Sequence, residues 1–177
     1  MGYEVLTPGE NPPEEVNVVI EIVGGDNAVK YEIDEESNCL MVDRFMNIAM
    51  HYPANYGFVP KTLYDDGDPV DALVLTPEPV VPGSVIRCRP VAVLDTEDEA
   101  GMDAKLLCVP LDKISTGYYK NVRDLEDVDK RLLDKIEHFF AHYKDLENGK
   151  WVRVAGWKNA AAAKQAISRS IKAYNNR

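Results

Sequence analysis

The sequence predicts a mainly β, α+β fold: a closed or nearly closed antiparallel barrel of short strands with two flanking α-helices. Three observations carry that prediction. Short runs rich in β-branched residues recur along the chain, punctuated by glycine and proline. Two later segments repeat their apolar residues at helical spacing. The 177 residues, 45% hydrophobic and 28% charged, have the make-up of one globular domain (1–177) large enough for a real core.

Taken in order, residues 1–15 read as an irregular arm with Pro12-Pro13 near its end. Residues 16–23 are rich in Val and Ile and stop at Gly24-Gly25, which predicts a strand. Residues 30–33 and 40–44 flank a polar turn at 34–38 and predict a hairpin. Residues 45–58 mix helix formers, Pro53 and aromatics, and are expected to be irregular. Strands are expected again at 71–75, 84–94, 106–109 and 151–154, with the acidic stretch 95–103 as a loop between two of them. In 128–143, Leu132, Leu133, Ile136, Phe139, Phe140 and Tyr143 share one helical face, with Asp127 or Asp129 as N-cap. The second helix opens at Asn159 and runs to about residue 173. Its stripe is Ala163, Ile167, Ile171 and Tyr174, and basic residues crowd its last turns, where the helix dipole favours them.

Composition excludes several classes. No apolar run approaches the ~18 residues of a membrane span. The acidic, proline-rich N-terminus lacks the apolar core of a secretory signal, and Leu6 stands where a myristoylation motif wants Ser or Thr, so the cytoplasm is the expected location. Cys39, Cys88 and Cys108 form no Cys-x-x-Cys pair and are expected in the core. A formal net charge of −10 argues against nucleic acid as a partner.

The chemistry concentrates in Asp65-Asp66-Gly67-Asp68-Pro69-Val70-Asp71, which sets four carboxylates at the lip of an apolar run. Two readings stand: a site for a hard divalent cation such as Mg2+, which takes oxygen ligands, or a solvated acidic turn. A second acidic cluster at 95–103 could reach the same end of a barrel. The stretch around Asp66 fails as an EF-hand, because Val70, Asp71 and Pro77 occupy its diagnostic positions. No Gly-x-x-x-x-Gly-Lys loop is present, so a bound phosphate would need side chains. His138 and His142 have chelating spacing without the zincin glutamate, and are expected to serve packing or a subunit contact.

Asp66-Gly67-Asp68-Pro69-Val70-Asp71 resembles the signature of the family I soluble inorganic pyrophosphatases, in their short bacterial form. The resemblance continues through Val18-Val19-Ile20-Glu21-Ile22, Val29-Lys30-Tyr31-Glu32, Val42-Asp43-Arg44-Phe45-Met46 and Tyr52-Pro53-Ala54-Asn55-Tyr56-Gly57. It runs on through the stretches 82–90 and 98–105 and His142-Tyr143-Lys144-Asp145-Leu146, in order along nearly the whole chain. It implies a five-stranded OB-like closed barrel, a homohexamer, and Mg2+-dependent hydrolysis of pyrophosphate to two phosphates using several ions, with Mn2+ or other divalents as possible substitutes. A metal-activated water would be the nucleophile and Asp68 the general base. Asp66, Asp71, Asp98 and Asp103 would be metal ligands, with Glu32 and the supporting Glu21 at the border through water or an extra ion. Lys30, Arg44, Tyr56, Lys105, Tyr143 and Lys144 would contact the phosphates, and Tyr52 would support the pocket. Departures are peripheral: Met102 stands where acidic residues are common, and one extra residue lies between Lys113 and Arg131. The competing expectations are a metal-dependent phosphohydrolase of another small phosphate compound and a non-catalytic OB-type module.

Overall fold

Strand β1 (Val16–Ile22) is buried along almost its whole length, so both of its faces must be covered. The computed structural model, which describes residues 2–25, 28–34 and 36–177, shows how. β1 pairs antiparallel with β4 (Asn55–Phe58) on one side and with β6 (Val85–Asp98) on the other. β4 continues to β5 (Asp71–Val74), β5 to β7 (Gly101–Pro110), and β7 back to β6, which closes a five-stranded ring. β8 (Val152–Asn159) adds to the outside of β6. β2 (Val29–Ile33) and β3 (Leu40–Phe45) form a separate hairpin; residue 35 of its turn lies outside the described residues.

Successive side chains on a strand point to opposite faces. Here both faces are apolar: Ala72 and Val74 of β5 and Leu106 and Cys108 of β7 fill one core, while Leu73 and Leu107 fill the other. Each core is capped by a helix. α1 (Lys130–His142) lays Ile136, Phe139 and Phe140 on the second core, and Asp129 caps it by accepting from the Arg131 N–H. α2 (Ala160–Asn175) buries Ala163 and Ile167 in the first, with Asn159 accepting from the Ala162 N–H.

Four expectations need correction. The barrel is not wholly antiparallel, because β5 and β7 run parallel. Residues 45–58 are not all irregular, since Asn55–Phe58 is a barrel strand. A Cβ on Gly57 would stand 1.7 Å from the Val19 carbonyl oxygen, so glycine permits the close approach of β1 while diluting the strand signal. The acidic stretch 95–103 is not a loop: β6 and β7 stay paired out to Asp98 opposite Gly101, leaving only Glu99 and Ala100 as the turn. Its charges are met across the sheet, Asp95 by Lys158 and Glu97 by Arg153, which is what lets acidic residues occupy strands. Finally, Cys39 is exposed on the β2–β3 connection, whereas Cys88 and Cys108 are buried.

Candidate active site

The β5–β7 register sets Asp71 directly beside Lys105. Asp103, two residues earlier on β7, projects from the same face as Lys105. The Lys105 ammonium consequently lies between the carboxylates of Asp71 and Asp103, with its side chain 4% exposed. Burial works to neutralise that ammonium, but the two carboxylates outweigh it and hold its pKa well above the usual value. The Tyr56 hydroxyl donates to Asp71, and burial keeps that hydroxyl protonated. The Tyr56 ring packs on Tyr52, 4.9 Å between centroids, and Tyr52 packs on Phe139 of α1 at 4.8 Å. Phe139 also stacks on Tyr143, at the C-cap of α1.

The next residue, Lys144, donates to Asp98 at 2.7 Å, at the end of β6. Burial opposes the Asp98 charge, yet Lys144 and the Ala100 N–H hold its pKa below the usual carboxylate range. Lys30 and Arg44 face each other across the β2–β3 hairpin. Lys30 pairs with Glu32, and Arg44 with Asp43 at 2.7 Å and Glu147 at 3.1 Å.

The acidic turn between β4 and β5 folds locally. The Gly67 N–H donates to the Tyr64 carbonyl at 3.1 Å, and the Tyr64 N–H to the Asp68 carbonyl at 2.8 Å. Gly67 has φ 96, which glycine alone adopts freely. Asp66 accepts from the Asp68 N–H at 3.1 Å. Burial and the neighbouring carboxylates of Asp103, Asp71 and Asp68 push Asp66 up to about 6, although the Asp68 N–H pulls the other way. Asp65 turns outward to Arg169, 3.2 Å away.

These elements enclose a cleft of about 510 Å³. All fourteen residues that the family resemblance implied line it: Glu21, Lys30, Glu32, Arg44, Tyr52, Tyr56, Asp66, Asp68, Asp71, Asp98, Asp103, Lys105, Tyr143 and Lys144. His138 and His142 do not. They are exposed with ring centroids 4.7 Å apart, and His142 pairs with Asp145. Sequence reasoning missed Lys150, which lines the cleft, and Glu147, which bridges Lys150 and Arg44. Neither carried a spacing signal, since both lie in an irregular segment whose placement depends on the barrel.

The lining carboxylates are hard oxygen donors and suit Mg2+ or a similar divalent ion. The residues that could hold such ions are Asp66, Asp71, Asp98 and Asp103. Among the described residues no three carboxylates converge into a ready-made cage; instead lysine ammonium groups stand between them. That arrangement fits ions that keep much of their own water rather than a fully protein-ligated site.

Glu21 supplies a pH effect. It is 8% exposed and accepts from the Ile33 N–H at 2.7 Å. Burial, reinforced by Asp71 and Glu32, lifts its pKa from 4.5 to about 8. The folded chain therefore keeps a proton that the unfolded chain gives up between those values. Stability falls as pH rises through that window and levels off above it. In chelator, Glu21→Gln is expected to remove that slope and leave the variant the more stable protein above about pH 8. The gain should be a few kcal/mol, because each tenfold change in proton affinity is worth ~1.4 kcal/mol. Thermal unfolding between pH 5 and 9 measures it, and parallel curves for the two proteins would rule it out.

Comparison with known proteins places the chain in a family. A family model described as inorganic pyrophosphatase matches residues 18–175. The inorganic pyrophosphatase of Xanthomonas axonopodis is 53% identical over 176 residues, covering 99% of this chain and 98% of the relative. That of Pseudomonas aeruginosa is 55% identical over 174 residues, covering 98% and 99%. The solved structure of the inorganic pyrophosphatase from Helicobacter pylori superposes with a TM-score of 0.91 at 50% identity, covering 97% and 99% of the two chains. The chain belongs to the inorganic pyrophosphatase family, in its short bacterial form. Through that membership it is an enzyme, an inorganic diphosphatase.

Proposed function

We propose that the protein hydrolyses inorganic pyrophosphate to two phosphates with Mg2+ as cofactor. One observation carries the reading. Lys30, Arg44, Lys105, Lys144 and Lys150 all line the cleft, and each is committed to a carboxylate. A multiply charged phosphate anion can claim these cations only if other positive charge takes over the carboxylates. Divalent ions held by Asp66, Asp71, Asp98 and Asp103, with Glu21 and Glu32 at the border, would do so. When bound, such ions neutralise phosphate charge and acidify a coordinated water.

The chain's own groups do the rest. Lys30, Lys105 and Lys144 act as point charges on phosphate oxygens, and Arg44 as a planar fork. Tyr56 and Tyr143 donate hydroxyl hydrogen bonds, with Tyr52 holding Tyr56 in place. Asp68, exposed on the acidic turn that lines the cleft, accepts the proton of the attacking water. Charge stabilisation by the lysines and Arg44 favours the departing phosphate. By the same family resemblance, the enzyme is read as one catalytic domain assembled as a cytoplasmic homohexamer, which its mass in solution checks. No helix among the described residues is long and apolar enough to cross a membrane.

Phosphate release from pyrophosphate and from a nucleoside triphosphate, each with Mg2+ and with chelator, tests the proposal. Release from pyrophosphate alone, abolished by chelator, is expected. Preference for the nucleotide would favour the competing phosphohydrolase.

A further inference from the structure

One stretch of the cleft wall takes no part in the chemistry above. It is made by Tyr3, Asn38, Lys61, Tyr174 and Arg177. The residues come from separate parts of the chain, and hydrogen bonds tie them into two groups. The Leu63 N–H donates to the Ser170 carbonyl at 3.0 Å, docking the end of α2 on the segment that begins at Lys61. Tyr174 and Arg177 follow one and two turns beyond that contact. The Tyr3 N–H donates to Asn38 Oδ1 at 3.0 Å, and the Tyr3 hydroxyl to the Gly83 carbonyl at 3.1 Å.

The two cations here differ from the five named above. Among the described residues Lys61 has no ion-pair partner, and the Arg177 guanidinium only stacks on the Tyr174 ring at 3.9 Å. In a chain of net charge −10, carboxylates were available to pair them. Lys61 is also held at φ 54, a left-handed conformation that costs a residue with a Cβ roughly 1–2 kcal/mol. Buried Thr62 locks that turn: its hydroxyl donates to the Val59 carbonyl at 2.6 Å and accepts from the Val70 N–H at 2.9 Å. The same segment presents Asp66 and Asp68, so the backbone that carries Lys61 is fixed relative to the proposed catalytic turn.

Resting on the reading of the cleft given above, we propose that Lys61 and Arg177 form a subsite for the trailing phosphate of a linear polyphosphate longer than pyrophosphate. Tripolyphosphate is its shortest ligand. The first two phosphates take the place of the diphosphate, and the third, beyond the lysines and Arg44, meets the two unpaired cations. Pyrophosphate, which ends with the two phosphates held at the lysines and Arg44, gains little from them.

The test is inhibition of Mg2+-dependent pyrophosphate hydrolysis by tripolyphosphate, in the wild type and in Lys61→Gly combined with Arg177→Gln. Glycine keeps the φ of residue 61 and removes only the charged side chain. The inhibition constant for tripolyphosphate is expected to rise at least about tenfold while the KM for pyrophosphate moves by less than about twofold. Equal changes in both would reduce the pair to a general field, and an unmoved inhibition constant would remove the subsite. Calorimetric titration of tripolyphosphate into each protein separates the two proposals. A wild type that turns over no pyrophosphate overturns the catalytic reading alone, whereas equal tripolyphosphate affinity in the two proteins overturns the subsite.

Discussion

Asp68→Asn is expected to lower kcat for pyrophosphate by about 10²–10⁴-fold, the usual contribution of a general base. The amide keeps the shape of the side chain but cannot take a proton at neutral pH. The turn should survive, because its hydrogen bonds run through the backbone of Tyr64, Gly67 and Asp68 and the carboxylate of Asp66. Residue 68 is exposed, so the loss should appear in turnover far more than in thermal unfolding. Mg2+ affinity, read by calorimetry, should be largely retained, since Asp68 is not among the proposed ligands. Steady-state kinetics decide: activity within a few-fold of wild type would place the base elsewhere, and loss of Mg2+ binding would recast Asp68 as a ligand.

Lys105→Met should act on the metal-free fold as well as on turnover. The ammonium is enclosed by Asp71 and Asp103 and lies 5.6–5.8 Å from the centroids of the Phe140 and Tyr56 rings. Removing one partner of a buried ionic cluster costs roughly 3–5 kcal/mol, because the remaining charges lose their compensation. In chelator the variant is therefore expected to unfold at a markedly lower denaturant midpoint. Mg2+ should recover more stability in the variant than in the wild type, because it meets two carboxylates with no internal counter-ion. Activity should be lost in both conditions. Equal midpoints in chelator would show that Lys105 does not hold the pair together.

The barrel and both helices were legible because their signals are local. Val and Ile mark β1, and the spacing of Ile136, Phe139 and Phe140 marks α1. β4 was not legible, because Gly57 serves a contact with Val19 that lies far away in sequence. The acidic ends of β6 and β7 looked like loop for a related reason: the lysine and arginine that make those strands tolerable sit on β8. The proposed site was legible through its resemblance rather than through spacing. Asp66, Asp68 and Asp71 form a short run, whereas Lys30, Lys105 and Lys144 reach the cleft from separate strands and a helix end. What composition could not supply was the pairing pattern, in particular Lys105 between two aspartates and Glu147 behind Arg44.

The parallel β5–β7 pairing reaches beyond geometry. Asp71 and Lys105 are 34 residues apart, with the whole of β6 between them in sequence. No local segment of the chain can bring them together, and such non-local contacts form slowly and late in folding. A partly folded chain thus holds the run of Asp66, Asp68 and Asp71 leading into β5 apart from Asp98 and Asp103 of the β6–β7 hairpin, and a cation that draws on both groups binds the native state alone. Each cation so bound draws the folding equilibrium toward the closed barrel by mass action. For a newly made chain, the supply of divalent ions then helps decide how much of it is folded as well as how fast it works.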